Sequence, residues 1–321
     1  MEKELRKIQN LIHKHKTFFL AGHINPDGDT LGSMLALSSV LKRMGKRVYL
    51  FSNDPIPANL SFLPKVKTIK IGKIPKASYD VMILLESSTP KRAGDLKNMD
   101  KKVKVLVNID HHKTSERFGD INIIDNASAS TAEIIYRLFY SMKVKITKSE
   151  AISLYTGIVT DTGRFHYPAT NPRTLEIAAR LLQTGFDFSR INDLLFSTRA
   201  YKALKILARA LLSMELAFSD KAAFMRLTNA DFKETNASSE HTESVINHGM
   251  MVPGVKISVL FRQEANRVSI TFRSKGNIDV SALAKKFGGG GHKHAAGCKS
   301  NLSLIAIEKQ IRQEVSKILK K

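Results

Sequence analysis

The sequence has one cysteine, Cys298, and no tryptophan. A lone thiol excludes an intrachain disulfide and any zinc site built from several thiolates, and it fits a reducing compartment. Without Trp, and with seven Tyr and sixteen Phe that read mostly as core, the usual base-stacking platforms of single-strand binders are not evident. Long apolar runs are missing too. The longest, such as residues 81–85, fall far below the roughly 20 residues of a membrane-spanning helix. The opening Met1-Glu2-Lys3-Glu4-Leu5 lacks the apolar stretch of a signal peptide. A soluble, cytoplasmic protein with no membrane partner is therefore expected.

Acidic residues are scarce relative to basic ones: 29 Asp and Glu stand against 51 Lys and Arg, for a formal net charge of +22. Such an excess favours polyanionic partners, because each neutralised phosphate releases counterions. Part of it is an ordinary solvated face, and Lys65, Lys67, Lys70, Lys73 and Lys76 read that way. There are no internal repeats and no GxxxxGK[ST] phosphate loop.

At 321 residues the chain has room for two domains. Residues 17–21, 47–51, 81–85 and 105–109 are short apolar runs bounded by polar loops, which predicts buried strands. Residues 31–44, 130–142 and 173–182 show helical spacing, the last followed by a Thr184-Gly185 stop. This alternation predicts an α/β domain with a mostly parallel sheet, whose ligands bind beyond the carboxyl ends of the strands. A long helical region over 189–216 follows. Then the texture changes to strands at 222–227, 256–261 and 267–272 and a short helix at 280–287. The expected organisation is a catalytic domain over 1–188, a helical linker over 189–215 and a smaller α/β domain over 216–321.

Five constellations carry chemistry. His23, Asp27 and Asp29 lie within seven residues on a loop between a predicted strand and helix. Carboxylates with an imidazole suit Mn²⁺ or Mg²⁺ better than a thiolate-preferring ion, whereas capping aspartates and an incidental histidine are the plain alternative. Asp110-His111-His112 ends another apolar run and offers a ligand, a second imidazole and a carboxylate to orient a ring. Glu86, with Arg92 nearby, and Asp161 each follow an apolar run as well. Either alone reads as a cap or a surface carboxylate, but together the four segments would converge on one sheet edge. The fifth is Gly288-Gly289-Gly290-Gly291-His292, flanked by Lys285, Lys286 and Lys293. Its successive amides could cradle an anion; a flexible linker is the alternative.

Together these segments resemble the DHH phosphoesterase family over nearly the whole chain. The His-x-x-x-Asp-x-Asp element is His23, Asp27 and Asp29, the name triplet is Asp110-His111-His112, and Gly289-Gly290-Gly291-His292 with Ala295-Ala296-Gly297 resembles the DHH-associated substrate-binding domain. Size and layout look most like the bacterial nanoRNase/pAp-phosphatase group, which hydrolyses short oligoribonucleotides and 3′-phosphoadenosine 5′-phosphate. The resemblance implies two divalent cations, Mn²⁺ first, with Mg²⁺ or Co²⁺ as alternatives. One would be held by His23, Asp27 and Glu86, the other by Asp29, Glu86, His111 and Asp161. His112 would sit near the scissile phosphate, with Asp110 orienting it. Arg262, Arg273, Gly289, Gly290, Gly291 and His292 would hold the distal phosphate or base of a short RNA or nucleotide. One position departs from the family pattern: Glu86 stands where Asp is usual. Cyclic-dinucleotide phosphodiesterase, RecJ-like single-strand exonuclease and non-catalytic nucleic-acid binder are the other readings, and a homodimer is left open.

Overall fold

In the computed structural model, which describes residues 2–96, 98–242 and 244–320, the four apolar runs of the first half are all strands. They are β1 (Thr17–Ala21), β2 (Arg47–Ser52), β4 (Tyr79–Leu85) and β5 (Val103–Asp110), joined by β3 (Lys70–Ile71) and β6 (Ile121–Ile124). All neighbours pair in parallel, in the order β3-β2-β1-β4-β5-β6. Both faces are covered, which is why the strands read as continuous apolar runs. Phe18, Leu20, Val81, Ile83, Val107 and Ile109 enter the larger core, while Phe19, Ala21, Phe51, Met82 and Leu84 form a second cluster.

Helices α1 (Glu2–Lys14), α2 (Gly28–Arg43), α3 (Thr131–Ser141), α4 (Lys148–Asp161), α5 (Pro172–Leu182) and α6 (Phe188–Asn192) complete this half. Helices α2 and α4 pack closely against each other. A Cβ at Gly32 would lie 2.2 Å from the Ser153 carbonyl oxygen, and one at Gly157 would lie 2.7 Å from Asp29 Oδ1. Glycine at these points lets the two helices approach, carrying the end of α4 to the start of α2. Here the structure corrects one expectation. The apolar pair Ile158-Val159 belongs to α4, so Asp161 arrives from a helix terminus and not from beyond a strand.

The chain divides into two units, Met1–Thr198 and Arg199–Lys321. The expected helical linker over 189–215 is not continuous: α6 passes into a π-helical turn at Asp193–Ser197 in the first unit, and α7 (Tyr201–Leu212) opens the second. Leu216 lies in a strand, β7 (Glu215–Ala217). The second unit also contains β8 (Ala222–Leu227), α8 (Asn229–Thr235), α9 (Val245–Gly249), β9 (Ile257–Glu264), β10 (Arg267–Ser274), α10 (Val280–Lys286), β11 (Gly290–His292), β12 (Ala295–Ser300) and α11 (Leu304–Leu319). Its sheet runs β11-β12-β10-β9-β8-β7, antiparallel except at β8–β9. Phe224, Val259, Phe261, Ile270 and Phe272 pack on one face against Leu283 of α10 and Ile307, Ile311 and Val315 of α11. Met225, Leu227 and Leu260 pack on the other with Ile206 of α7 and Val245 of α9. No helix among the described residues is long and apolar enough to cross a membrane.

Candidate metal centre

Asp27 caps α2. Its Oδ1 accepts the amides of Asp29 at 3.1 Å and Thr30 at 2.9 Å, and its Oδ2 lies 3.5 Å from His23 Nε2. His23 Nδ1 is 2.6 Å from the Ile24 carbonyl oxygen. A carbonyl can only accept, so Nδ1 carries the proton and Nε2 keeps its lone pair. Glu86, the residue after β4, is buried at φ +56°. Its Oε2 lies 3.7 Å from His23 Nε2 and accepts the Thr30 hydroxyl at 2.6 Å.

Asp29 is fully buried. The first amides of α3 fix it: Thr131 donates to Oδ2 at 2.6 Å and Ala132 to Oδ1 at 2.8 Å. His111, just past β5, has Nδ1 3.3 Å from the Ser128 carbonyl oxygen, which again leaves Nε2 unprotonated in the neutral ring. That nitrogen is 3.1 Å from Asp161 Oδ2 but off hydrogen-bond geometry, so it is buried without a hydrogen-bond partner. His112 Nδ1 donates to Asp110 Oδ1 at 2.8 Å, an oxygen that also accepts the His111 amide at 2.8 Å.

Ligand-type atoms fall into three groups, each within 4.8 Å: His23, Asp27 and Glu86; Asp29, His111 and Asp161; and Glu86, His111 and His112. Glu86 belongs to two of them and faces into the cluster. The electrostatics are those of carboxylates crowded out of water. Burial pushes Glu86 well above the usual carboxylate range, with Asp29, Asp27 and Asp161 adding to the effect. Burial, then the charge of Asp161, raises Asp29 to about 7. Burial opposes protonation of His111, but Asp161 and Asp29 outweigh it and raise the ring to about 9. Asp27 goes the other way: against burial, His23 and the Thr30 amide hold it at about 2. Oxygen donors with two outward imidazole lone pairs, one of them orphaned, fit a pair of divalent cations.

All the residues predicted in the first unit meet here. The sequence reading missed the hydroxyl of Thr30, the Ser128 carbonyl and the two α3 amides; the one signal for them is the Ser130 cap that starts α3, whose side chain accepts the Glu133 amide at 3.1 Å.

In the second unit, Arg262 on β9 is paired with Ser269, and Arg273 on β10 with Ser258 and Ala295. Ala295 in turn pairs with His292 of β11, so register puts Arg262, Arg273 and His292 on one sheet face. Arg262 donates to Thr242 Oγ1 at 2.8 Å, while its Nε and Ser269 Oγ are buried without partners. The glycine run differs from the expected irregular cradle. Gly290 and Gly291 form the edge strand β11, and Gly289 lies so close to the Gly297 carbonyl that a Cβ would come within 2.1 Å.

Comparison with known proteins places the two units in known families. The DHH family N-terminal domain matches residues 17–158, and the DHHA1 domain matches residues 220–321. The bifunctional oligoribonuclease and PAP phosphatase NrnA of Thermus thermophilus is 32% identical, covering 87% of this chain and 82% of that one. Its Bacillus subtilis counterpart is 28% identical over 89% of this chain and 90% of that protein. Among solved structures, an exopolyphosphatase-related protein from Bacteroides fragilis matches with a TM-score of 0.91 at 25% identity, covering 100% of this chain and 98% of that one. This chain belongs to the DHH family, with a DHHA1 domain in its second unit.

Proposed function

We propose that this protein is a metal-dependent phosphoesterase that hydrolyses short oligoribonucleotides and 3′-phosphoadenosine 5′-phosphate, with two Mn²⁺ ions as its working cations. The observation that carries this reading is the pair of donor groups, His23–Asp27–Glu86 and Asp29–His111–Asp161, linked by the third group Glu86–His111–His112, each of the pair with an imidazole whose other ring nitrogen already faces a carbonyl. The names of the Thermus and Bacillus relatives support the substrate class. In this reading His23, Asp27 and Glu86 hold one cation, and Asp29, Glu86, His111 and Asp161 hold the other. When bound, the ions neutralise phosphoryl oxygens and acidify the attacking water.

The remaining work falls to side chains. Asp110, held below the usual carboxylate range by His112 although burial opposes it, fixes the His112 ring with Nδ1 as donor. The outer Nε2 of His112, on a ring 39% exposed, would steady the phosphoryl charge or give a proton to the leaving oxygen when the ring carries a second proton there, as imidazolium. Arg262, Arg273 and His292, beside Gly289, Gly290 and Gly291, take the distal phosphate or base. The test is Mn²⁺-dependent turnover of RNAs from two to twenty nucleotides and of 3′-phosphoadenosine 5′-phosphate, with Asp161→Ala as control. Turnover that falls with length and is lost in Asp161→Ala is expected. Binding without hydrolysis in Mn²⁺, Mg²⁺ or Co²⁺ would leave a non-catalytic nucleic-acid binder instead.

A further inference from the structure

The segment between Asp161 and α5 is exposed, aromatic and held in a conformation that L-residues avoid. Gly163, Arg164 and Phe165 have φ of +56°, +61° and +65° in succession. Gly163 takes this conformation freely, but two non-glycine left-handed residues in a row persist only where the surroundings over-determine them, and such strain clusters at functional sites. Here the determinants are visible. The Arg164 amide donates to the Val159 carbonyl at 2.8 Å, the Tyr167 amide to the Thr162 carbonyl at 2.9 Å, and the Phe165 amide to Thr162 Oγ1 at 3.1 Å. Phe165 tucks against the large core, and the Arg164 guanidinium lies 4.8 Å from the Phe196 ring centre.

This scaffold turns two rings outward. Tyr167 has 53% of its surface exposed, and the His166 ring stands edge-on to it at 6.3 Å. The tyrosine is seated, not loose: its ring lies on Gly163, where a Cβ would come within 2.5 Å of Cζ. Both ends of the segment connect to the metal centre. Asp161 lies two residues before Gly163, so their Cα atoms are less than about 8 Å apart. At the other end Asn171 donates to the Ala127 carbonyl at 3.3 Å. The adjoining Asn126 donates to the carbonyls of His111 and His112 at 3.1 and 2.8 Å. A single exposed tyrosine is ordinary. An exposed aromatic pair, seated on a strained turn whose Gly163 lies within about 8 Å of the Asp161 Cα, is not.

We propose that Tyr167, with His166 at its edge, is a stacking platform for the nucleobase attached to the phosphate at the metal centre. Stacking reads only the π-face, so the platform tolerates any base while rejecting phosphoesters that carry none. The proposal rests on the phosphoesterase reading above, and its test separates the two. The probes are a 5′-phosphorylated diadenylate and its abasic counterpart with the same sugar-phosphate backbone. The variants are Tyr167→Ala, Tyr167→Leu and Tyr167→Phe. In the Ala and Leu variants the KM for diadenylate should rise by about 5- to 150-fold relative to the KM for the abasic probe, with kcat changing far less, and Tyr167→Phe should restore the wild-type ratio. Equilibrium binding of both probes with Ca²⁺ in place of Mn²⁺ reads the same ratio without turnover. A protein that hydrolyses neither probe but binds diadenylate through Tyr167 sinks the phosphoesterase reading and keeps the platform. An equal loss on both probes, no change on either, or full rescue by leucine overturns the platform.

Discussion

Titrating the metal-free protein with Mn²⁺ at pH 7 should release about 1.5 protons from Asp29 and His111 alone. Asp29 titrates near 7 and His111 near 9, so before metal binds the carboxyl is about half protonated and the imidazole almost wholly so. Each must be deprotonated to donate to a cation, which gives half a proton from one and close to one from the other. Glu86, pushed well up by burial and its acidic neighbours, adds to this total, whereas Asp27 at about 2 adds nothing. Linkage then requires the Mn²⁺ affinity to fall about 30-fold or more between pH 7 and pH 6. Calorimetry in buffers of different ionisation enthalpy measures the release, and affinities at the two pH values check it independently. Asp161→Ala should shrink the release, because Asp161 is the charged neighbour that raises Asp29 and the partner that raises His111. Heats independent of the buffer, together with affinities that differ less than threefold, would refute the account of the cluster's charge.

The same groups set the stability of the metal-free protein. Asp29 has its folded value raised from 3.8 to about 7. Its contribution is complete below pH 3.8 and is lost as pH rises through 7; that of His111 is lost between 6.5 and about 9. The melting temperature without metal should thus decline steadily from pH 5 to pH 9, and Mn²⁺ should restore most at the alkaline end; a flat profile by scanning calorimetry would contradict this. Gly157→Ala gains about 1 kcal/mol of helix propensity. It also drives a Cβ to 2.6 Å from Ala132 Cβ and 2.7 Å from Asp29 Oδ1, and overpacking of that kind costs about 1–3 kcal/mol. Repulsion should win, so denaturant melts should show net destabilisation and Mn²⁺ titration a weaker site; a more stable variant with unchanged affinity would show that the α2–α4 approach is not what positions Asp29. Arg173 donates to the fully buried Glu133 at 2.6 Å and to the Ala127 carbonyl at 3.0 Å. Removing it in Arg173→Met should cost about 2 kcal/mol, less than for an enclosed pair because Arg173 is itself 40% exposed, as urea melts would record.

The parallel sheet was legible because its strands are buried on both faces. Residues 18–21 and 81–85 are apolar without interruption, and few other elements of that length look alike. The same logic misleads at α4. Nearly every residue from Glu150 to Val159 is buried, so the helix has no polar stripe to announce its period, and its last apolar pair reads like a strand end. The break at 193–200 is equally silent, since a π-helical turn of Asp-Leu-Leu-Phe-Ser has ordinary helical composition. The side chains of the candidate metal centre were legible where they cluster in sequence. Their supports were not: the Ser128 carbonyl under His111 and the Thr131 and Ala132 amides on Asp29 are backbone atoms. Such groups carry no residue identity, and only the fold brings the α3 amides to Asp29 across 102 and 103 positions. Tyr167 was hidden for a related reason, as composition counts an aromatic ring without saying which way a turn faces it.

The charge distribution adds a constraint on the order of binding. A chain with 51 basic and 29 acidic residues attracts polyanions, yet its candidate metal centre gathers Asp27, Asp29 and Asp161 around Glu86. Without cations a phosphate approaching that point meets carboxylates, and the long-range pull of the basic surface is screened within about 8–10 Å at physiological salt. The surface can therefore concentrate substrate, but the centre accepts it only after cations have reversed the local sign. Raising salt should weaken the first effect and leave the second nearly untouched, because buried pairs are screened much less. Substrate affinity measured against ionic strength should accordingly fall with salt at saturating Mn²⁺. The much larger drop on removing Mn²⁺ should persist at every salt concentration, and a drop that vanishes at high salt would mean that the cations act only as diffuse counterions.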